Sequence, residues 1–266
     1  MPLISITDPD DVRLAPYVSI REKDLTHGHG ARFIVEGKVT LEALIRRSRF
    51  EVESLFLAES RLEPVRDILE DVSDRIPIYV VEQSLMDQVA GFPVHRGVLA
   101  CGIKGEPLCV RSLLETANTV LVLVGLSNHD NVGACFRNAT AFGTDCILLD
   151  SQSCDPLYRK SIRVSSGTAL TLPFVHGGTG DEILMALSGE GFDVWCLTPR
   201  ADAVTIDAIQ PPDRLALILG AEGPGLSDQL MARGRPVRVP MVAGFDSINV
   251  ATAGAIALNQ IFSSKR

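Results

Sequence analysis

Apolar residues follow two rhythms along this chain. Short unbroken runs alternate with stretches in which apolar residues return every three or four positions. Residues 32–36 form such a run, closed by a turn at Gly37. Within 39–47 the apolar positions 41, 44 and 45 have helical spacing. Residues 52–57 read as a strand, and positions 62, 65, 68, 69 and 72 repeat the helical rhythm over 62–72. A strand over 76–81, a short helix over 83–89 and an apolar strand over 97–103 complete the series. This alternation predicts an α/β layer with mostly parallel strands. Residues 1–25, punctuated by Pro9, Asp10 and Asp11, read as an irregular lead-in.

Lys104, Gly105, Glu106 and Pro107 interrupt the pattern, and Val110, Leu113 and Leu114 suit a connecting helix. A boundary between about 104 and 116 divides the chain into domains of 1–108 and 109–266. The second half starts a new alternation. Strands are predicted at 119–124, 146–149, 171–175, 193–197, 214–219 and 237–239, and helices at 132–142, 182–187, 227–232 and 250–262. Residues 156–164 read as helical or turn-rich. The strand at 171–175 is predicted short or at an edge, because Pro173 cannot donate to a ladder.

Composition narrows the classes. Of 266 residues, 46% are hydrophobic and 22% charged, which suits a folded chain with a sizeable core and excludes wholesale disorder. The N-terminus lacks a basic start followed by a long apolar run, and runs such as 120–124 are too short to cross a bilayer. A cytoplasmic protein without a membrane segment is expected. The six cysteines form no C-x-x-C pair and no zinc-spaced cluster, so buried free thiols and no metal are expected. A net charge of −8 argues against tight non-specific binding to a polyanion, though a local basic patch remains compatible with it.

Three segments of the second half carry candidate chemistry. The first joins a strand through Ser127, Asn128, His129 and Asp130 to Asn131, Val132, Gly133 and, one helical turn on, Arg137. An arginine in the first turns of a helix opposes the helix dipole, so stability does not explain it. The second runs from an apolar strand into Gly220, Ala221, Glu222, Gly223, Pro224, Gly225, Leu226 and Ser227. It has neither the Walker A ending nor the dinucleotide fingerprint, which disfavours an NAD-dependent dehydrogenase. Gly220 opens this loop, where the backbone is expected to pass close to a ligand, and Ser227 is a candidate helix cap. The third joins Val239, Pro240 and Met241 to Asp246, Ser247, Ile248, Asn249 and a helix rich in small residues at 251, 253, 254, 255 and 257. Ser247 or Asn249 could cap that helix, and the small residues suit close packing or a dimer interface.

In this order and spacing the three segments resemble the motifs of the SpoU (TrmH-type) RNA ribose 2′-O-methyltransferases, over about residues 118–264. The segments Phe33-Ile34-Val35-Glu36-Gly37 and Pro93-Val94-His95-Arg96-Gly97 resemble the L30-like substrate-binding domain that some members carry. The resemblance departs at Ile248, at Ala134-Cys135 and at Leu258-Asn259-Gln260, none of them a polar residue of interest. It implies a trefoil-knotted SPOUT-type α/β catalytic domain behind a smaller α/β L30-like domain, a homodimer, and S-adenosylmethionine as cofactor. It further implies methyl transfer to a ribose 2′-hydroxyl of ribosomal RNA, or of transfer RNA. Arg137 would grip a phosphate or the developing oxyanion, while Asn131, Glu222, Ser247 and Asn249 orient the ribose. Leu197, Thr198, Gly220, Glu222, Gly223, Val239, Met241, Ile248, Asn249 and Val250 fall at positions expected to hold the cofactor.

Two basic clusters are candidates for RNA contact: Arg46, Arg47 and Arg49 at a helix end, and Arg159, Lys160 and Arg163 in the second half. For the first, a favourable charge–dipole placement is an equal alternative. Among the histidines at 27, 29, 95, 129 and 176, only His129 adjoins a motif, and the pattern singles out no general base. The competing function is an inactive RNA-binding or ribosome-assembly factor of the same fold. The intact polar set Asn131, Arg137, Glu222, Ser247 and Asn249 speaks against it.

Overall fold

The computed structural model describes residues 3–20, 31–242 and 244–265. His27 and His29 lie outside the described residues. The strands are β1 (Leu3–Ser5), β2 (Arg32–Glu36), β3 (Glu51–Ala58), β4 (Ile78–Val81), β5 (Val98–Ile103), β6 (Thr119–Leu123), β7 (Cys146–Leu149), β8 (Phe174–His176), β9 (Asp193–Leu197), β10 (Val204–Thr205), β11 (Leu215–Leu219) and β12 (Arg235–Arg238). The α-helices are α1 (Lys38–Arg47), α2 (Arg66–Leu69), α3 (Gln83–Ala90), α4 (Val110–Thr116), α5 (His129–Ala141), α6 (Arg159–Val164), α7 (Thr168–Thr171), α8 (Gly180–Gly189), α9 (Asp228–Met231) and α10 (Val250–Ser264).

The chain divides into two compact units. The first comprises residues 1–106 and 157–171, the second 107–156 and 172–266. The linker falls where the sequence breaks, but the second domain is not the continuous 109–266 expected: α6 and α7 belong to the first unit. The first sheet has the order β1-β4-β3-β5-β2. β4 pairs in parallel with β1 and β3, whereas β5 runs antiparallel to β3 and β2. Four of the five strands thus point the same way, in keeping with the expectation of mostly parallel strands, and β5 alone is reversed. Alternation fixes element types, but β5 returns to insert between β2 and β3 rather than extending the edge, a choice of order that local periodicity does not encode.

The lead-in is more ordered than its punctuation predicts. It supplies β1 and a 3₁₀ turn, Val12–Tyr17, whose Leu14 and Tyr17 are fully buried. The Tyr17 hydroxyl donates to the Ser54 carbonyl at 2.9 Å. The predicted helix over 62–72 breaks into 3₁₀ turns and the four-residue α2, with Pro64 in the last of those turns. In α6, Arg159 pairs with the buried Glu36 of β2 and stacks over Phe92 at 4.7 Å.

The second unit is a seven-stranded sheet, β10-β12-β9-β11-β6-β7-β8, with every pairing parallel. Its central strands β6 and β11 are buried along their whole length, as a parallel sheet covered on both faces requires. The predicted strand at 171–175 splits into the end of α7 and β8, which starts just after Pro173. The carboxyl ends of β6, β9, β11 and β12 deliver their loops to one edge, the usual place for a ligand in such sheets. There α5 and α10 pack together, with Asn138 Nδ2 donating to the Ala251 carbonyl at 3.0 Å. The small-residue face of α10 serves this packing: Ala251, Gly254 and Ala257 are buried, and a Cβ on Gly254 would come within 2.8 Å of Leu219.

Glu36→Ala should leave the largely buried Arg159 guanidinium uncompensated, at a cost of up to about 3 kcal/mol. Arg46→Ala, which removes solvent-exposed pairs, should cost no more than about 1 kcal/mol. Hydrogen exchange of the β2 and β5 amides checks this: protection should collapse in the first variant and persist in the second.

Candidate active site

The site is assembled from three strand-to-helix connections. After β6, Gly125 turns the chain with φ +69, and Asn128 caps α5 by accepting from the Asp130 amide at 2.8 Å. Asn131 therefore sits in the first turn of α5, buried, and Arg137 in the third turn, exposed. Because the helix begins at His129 rather than 132, Arg137 stands beyond the reach of the N-terminal dipole, and the dipole argument does not apply to it. Among the described residues Arg137 makes no hydrogen bond or ion pair. His129 opens the same helix and does have a partner.

After β11 the chain makes a tight loop bridged by Ala221 and Gly225, and Ser227 caps α9. A Cβ on Gly220 would lie 2.6 Å from the Gly225 carbonyl carbon and from the Leu226 amide nitrogen. The glycine is thus demanded by the loop's own backbone, whereas the motif pattern alone assigned it to ligand approach. Ahead of α10, Asn249 is the cap: its Oδ1 accepts from the Ala251 and Thr252 amides at 2.9 and 3.2 Å.

The other half of that amide ties the three connections together. Asn249 Nδ2 donates to Asn131 Oδ1 at 2.9 Å and to Glu222 Oε1 at 3.3 Å, while Asn131 Nδ2 donates to the same Glu222 oxygen at 2.6 Å. Residues separated by 91 and 118 positions meet in one closed polar triangle. Against it opens a cleft of about 550 Å³, lined by all ten residues matched to cofactor positions, from Leu197 to Val250. Ser247 lines it too, exposed and hydrogen-bonded to none of the described residues. Sequence reading missed one charged lining residue, Arg200, and gave no role to another, Asp246 of the third segment. Arg200 pairs with Asp228, and its place three residues past β9 was the available signal.

The SpoU rRNA Methylase family profile matches residues 118–259, and the profile for RNA 2′-O ribose methyltransferase substrate binding matches 34–101. The chain belongs to the SpoU rRNA Methylase family. With the family comes S-adenosylmethionine-dependent methylation of an RNA ribose 2′-hydroxyl. An uncharacterized tRNA/rRNA methyltransferase of Mycobacterium bovis is 37% identical over 260 residues, covering 95% of this chain and 89% of that one. The 23S rRNA (guanosine-2′-O-)-methyltransferase RlmB of Haemophilus ducreyi is 28% identical, covering 78% and 86%. The fold matches that of an AdoMet-bound rRNA methyltransferase from Sinorhizobium meliloti, with TM-score 0.81, 19% identity and 97% of each chain covered.

The cleft suits this cofactor. Leu197, Leu219, Val239 and Ile248 offer apolar walls for a purine, and Glu222 and Asp246 offer negative charge for a sulfonium and an ammonium. Among the described residues no cluster of His, Cys, Asp and Glu is arranged to hold a metal. Burial pushes the Cys135 and Cys146 thiols up to about 12, so neither is a nucleophile. Four of the six cysteines are buried as expected, whereas Cys109 is exposed and Cys154 half-buried.

Several candidate RNA residues have their charges engaged. Arg46 contacts Asp71, Glu42 and the Asp67 carbonyl, and Arg49 stacks on Phe50 at 4.2 Å. Arg159 is committed to Glu36, which places it in the packing of the first unit rather than on an RNA-facing surface. Lys160 is half-buried and partnered, Arg47 is exposed, and Arg163 is exposed with Glu36 3.9 Å away. His176 Nε2 donates to the Ser153 carbonyl at 2.9 Å, and the His95 carbonyl accepts from Arg61 at 3.3 Å.

Gly220→Val should perturb the loop as well as the cleft. The expected result is a loss of about 1–3 kcal/mol in unfolding free energy, the scale of overpacking, together with loss of S-adenosylhomocysteine binding by titration calorimetry. A fully stable variant lacking only ligand binding would return the glycine to the role of sparing room for ligand.

Proposed function

We propose that this enzyme methylates a ribose 2′-hydroxyl of ribosomal RNA, with Arg137, Asn131, Glu222, Ser247 and Asn249 at the reacting centre. The observation that carries this reading is the Asn131–Glu222–Asn249 triangle against the cleft. The ribosomal substrate is favoured by the RlmB relative, named for 23S rRNA, and by the substrate-binding segment in the first unit. An inactive assembly factor would have no need of a closed three-residue polar network beside an open cleft.

S-adenosylmethionine, when bound, supplies a methyl group activated by its sulfonium. The chain's own task is to align the 2′-oxygen in line with that methyl group and to favour its alkoxide-like state. Leu197, Thr198, Gly220, Gly223, Val239, Met241, Ile248 and Val250 hold the cofactor, through apolar contact and backbone groups. Glu222, fixed by two amides on one oxygen, presents its remaining acceptor positions to ribose hydroxyls or to the cofactor's positive end. Ser247 offers a hydroxyl to the same space. Arg137, exposed and without a partner among the described residues, grips a phosphate next to the target ribose through its planar fork. Arg47 and Arg163 supply further RNA contacts from the first unit.

The reading includes three features of the family: a knotted chain around the cofactor, a homodimer and a cytoplasmic setting. The exposed Val242, Phe245 and Ile256 beside and on α10 favour a second copy as their cover. Six unpaired cysteines suit a reducing compartment. In such a dimer Arg137 serves the cofactor held by the opposite subunit.

Arg137→Ala should leave the affinity for S-adenosylhomocysteine unchanged and lower the methylation rate by about 10²-fold or more, the scale of one lost electrostatic contact. Lysine should rescue it in part. The substrate is ribosomal RNA from cells that lack this protein. Mixing the Arg137→Ala variant with a cofactor-binding-deficient variant, after subunit exchange, should restore activity. Full activity of Arg137→Ala alone excludes its catalytic role, and no restoration on mixing places both functions in one chain.

A further inference from the structure

We infer that Asp150, a buried carboxylate at the carboxyl end of β7, is a positioning residue for the reaction, acting through the loop that carries the chain into α5. One oxygen of Asp150 collects three donors: the Gly125 amide at 2.9 Å, the Ser153 amide at 3.0 Å and the Ser153 hydroxyl at 2.7 Å. Asp150 is 4% exposed and Ser153 5%. Ser153 passes the link on, since its Oγ accepts from the Leu126 amide at 3.1 Å. Cys154 adds two more links, its amide donating to the Leu126 carbonyl at 2.8 Å and its thiol to the Ser127 carbonyl at 2.7 Å. From β8, His176 Nε2 donates to the Ser153 carbonyl and closes the staple from its far side.

Among the described residues, none of 125–128 lines the cleft. The loop so held matters because it leads directly into α5: Asn128 caps that helix, and Asn131 enters the polar triangle one turn later. A buried carboxylate is a costly way to fasten a loop, because its charge must be stripped of water and then satisfied. Three charge-assisted hydrogen bonds converging on one oxygen are shorter and more directional than neutral ones, and so fix position. Asp150 therefore sets where Asn131 and Arg137 stand relative to the ribose, without touching substrate or cofactor.

This rests on the reading that α5 faces the ribose, and the test keeps the two apart. In Asp150→Ala, kcat on ribosomal RNA from cells lacking this protein should fall by about 10- to 100-fold, the penalty for slight misplacement of reacting groups. The Kd for S-adenosylhomocysteine should stay within about twofold, because the cofactor loops hang on other strands. Asp150→Asn keeps the accepting oxygen and should recover most of the turnover. Ser153→Ala, which spares the Gly125 link, should give a smaller loss and covers the case in which Asp150→Ala fails to fold. Normal kcat in Asp150→Ala, or in Ser153→Ala should the former not fold, overturns the inference, even where Arg137→Ala is inactive and the proposed function stands. A parallel loss of cofactor affinity and turnover that asparagine fails to reverse also overturns it, leaving Asp150 a stability residue.

Discussion

Everything in the catalytic unit depends on one requirement: the amide of Asn249, the amide of Asn131 and the carboxylate of Glu222 must satisfy one another at the carboxyl edge of a parallel sheet. Each comes from a different strand-to-helix connection, and none can pair correctly unless β6, β11 and β12 are in register and α5 and α10 are packed. Asn249 shows the economy of the arrangement. Its oxygen caps α10 and its nitrogen reaches the network, so the start of the last helix and the geometry of the site are set together. A partly satisfied network at such a place would be worse than none.

The sheet makes this meeting possible. Strands β6 and β11, buried on both faces, form a rigid floor, and parallel connections put every functional loop at the same edge. Around the network the loops divide the labour. The one after β11 supplies tight backbone and a carboxylate, the ones after β9 and β12 supply cleft walls, and the one after β6 supplies Asn131 to the network. The Asp150 staple belongs to the last of these.

Much of this was legible in the chain. The strands expected at 119–124 and 214–219 form as β6 and β11, and Glu222, Ser247, Asn249 and the residues matched to cofactor positions line one cleft, with Asn131 tied to it through the triangle. The failures share a cause, which is that local pattern carries no information about distant partners. Arg159 and Glu36 lie 123 positions apart, so the same basic cluster that reads as an RNA surface proves to hold one largely buried ion pair. The position of β5 between β2 and β3 is a choice of strand order, not of periodicity. The demand for glycine at 220 comes from residues five and six positions on, once the loop has folded back. Arg200 stood outside the motifs and became visible only as a wall of the cleft.

If the polar triangle is a single functional unit, its members are energetically coupled. The most direct measurement is a double-mutant cycle on the rate of methyl transfer, using Asn131→Ala, Glu222→Ala and the combination, with cofactor and RNA both saturating. The double variant should lose little more than the worse single variant, a coupling of about 1–3 kcal/mol. Losses that simply add would contradict the account, because they would mean that Asn131 and Glu222 act independently and that their hydrogen bond does not build the site.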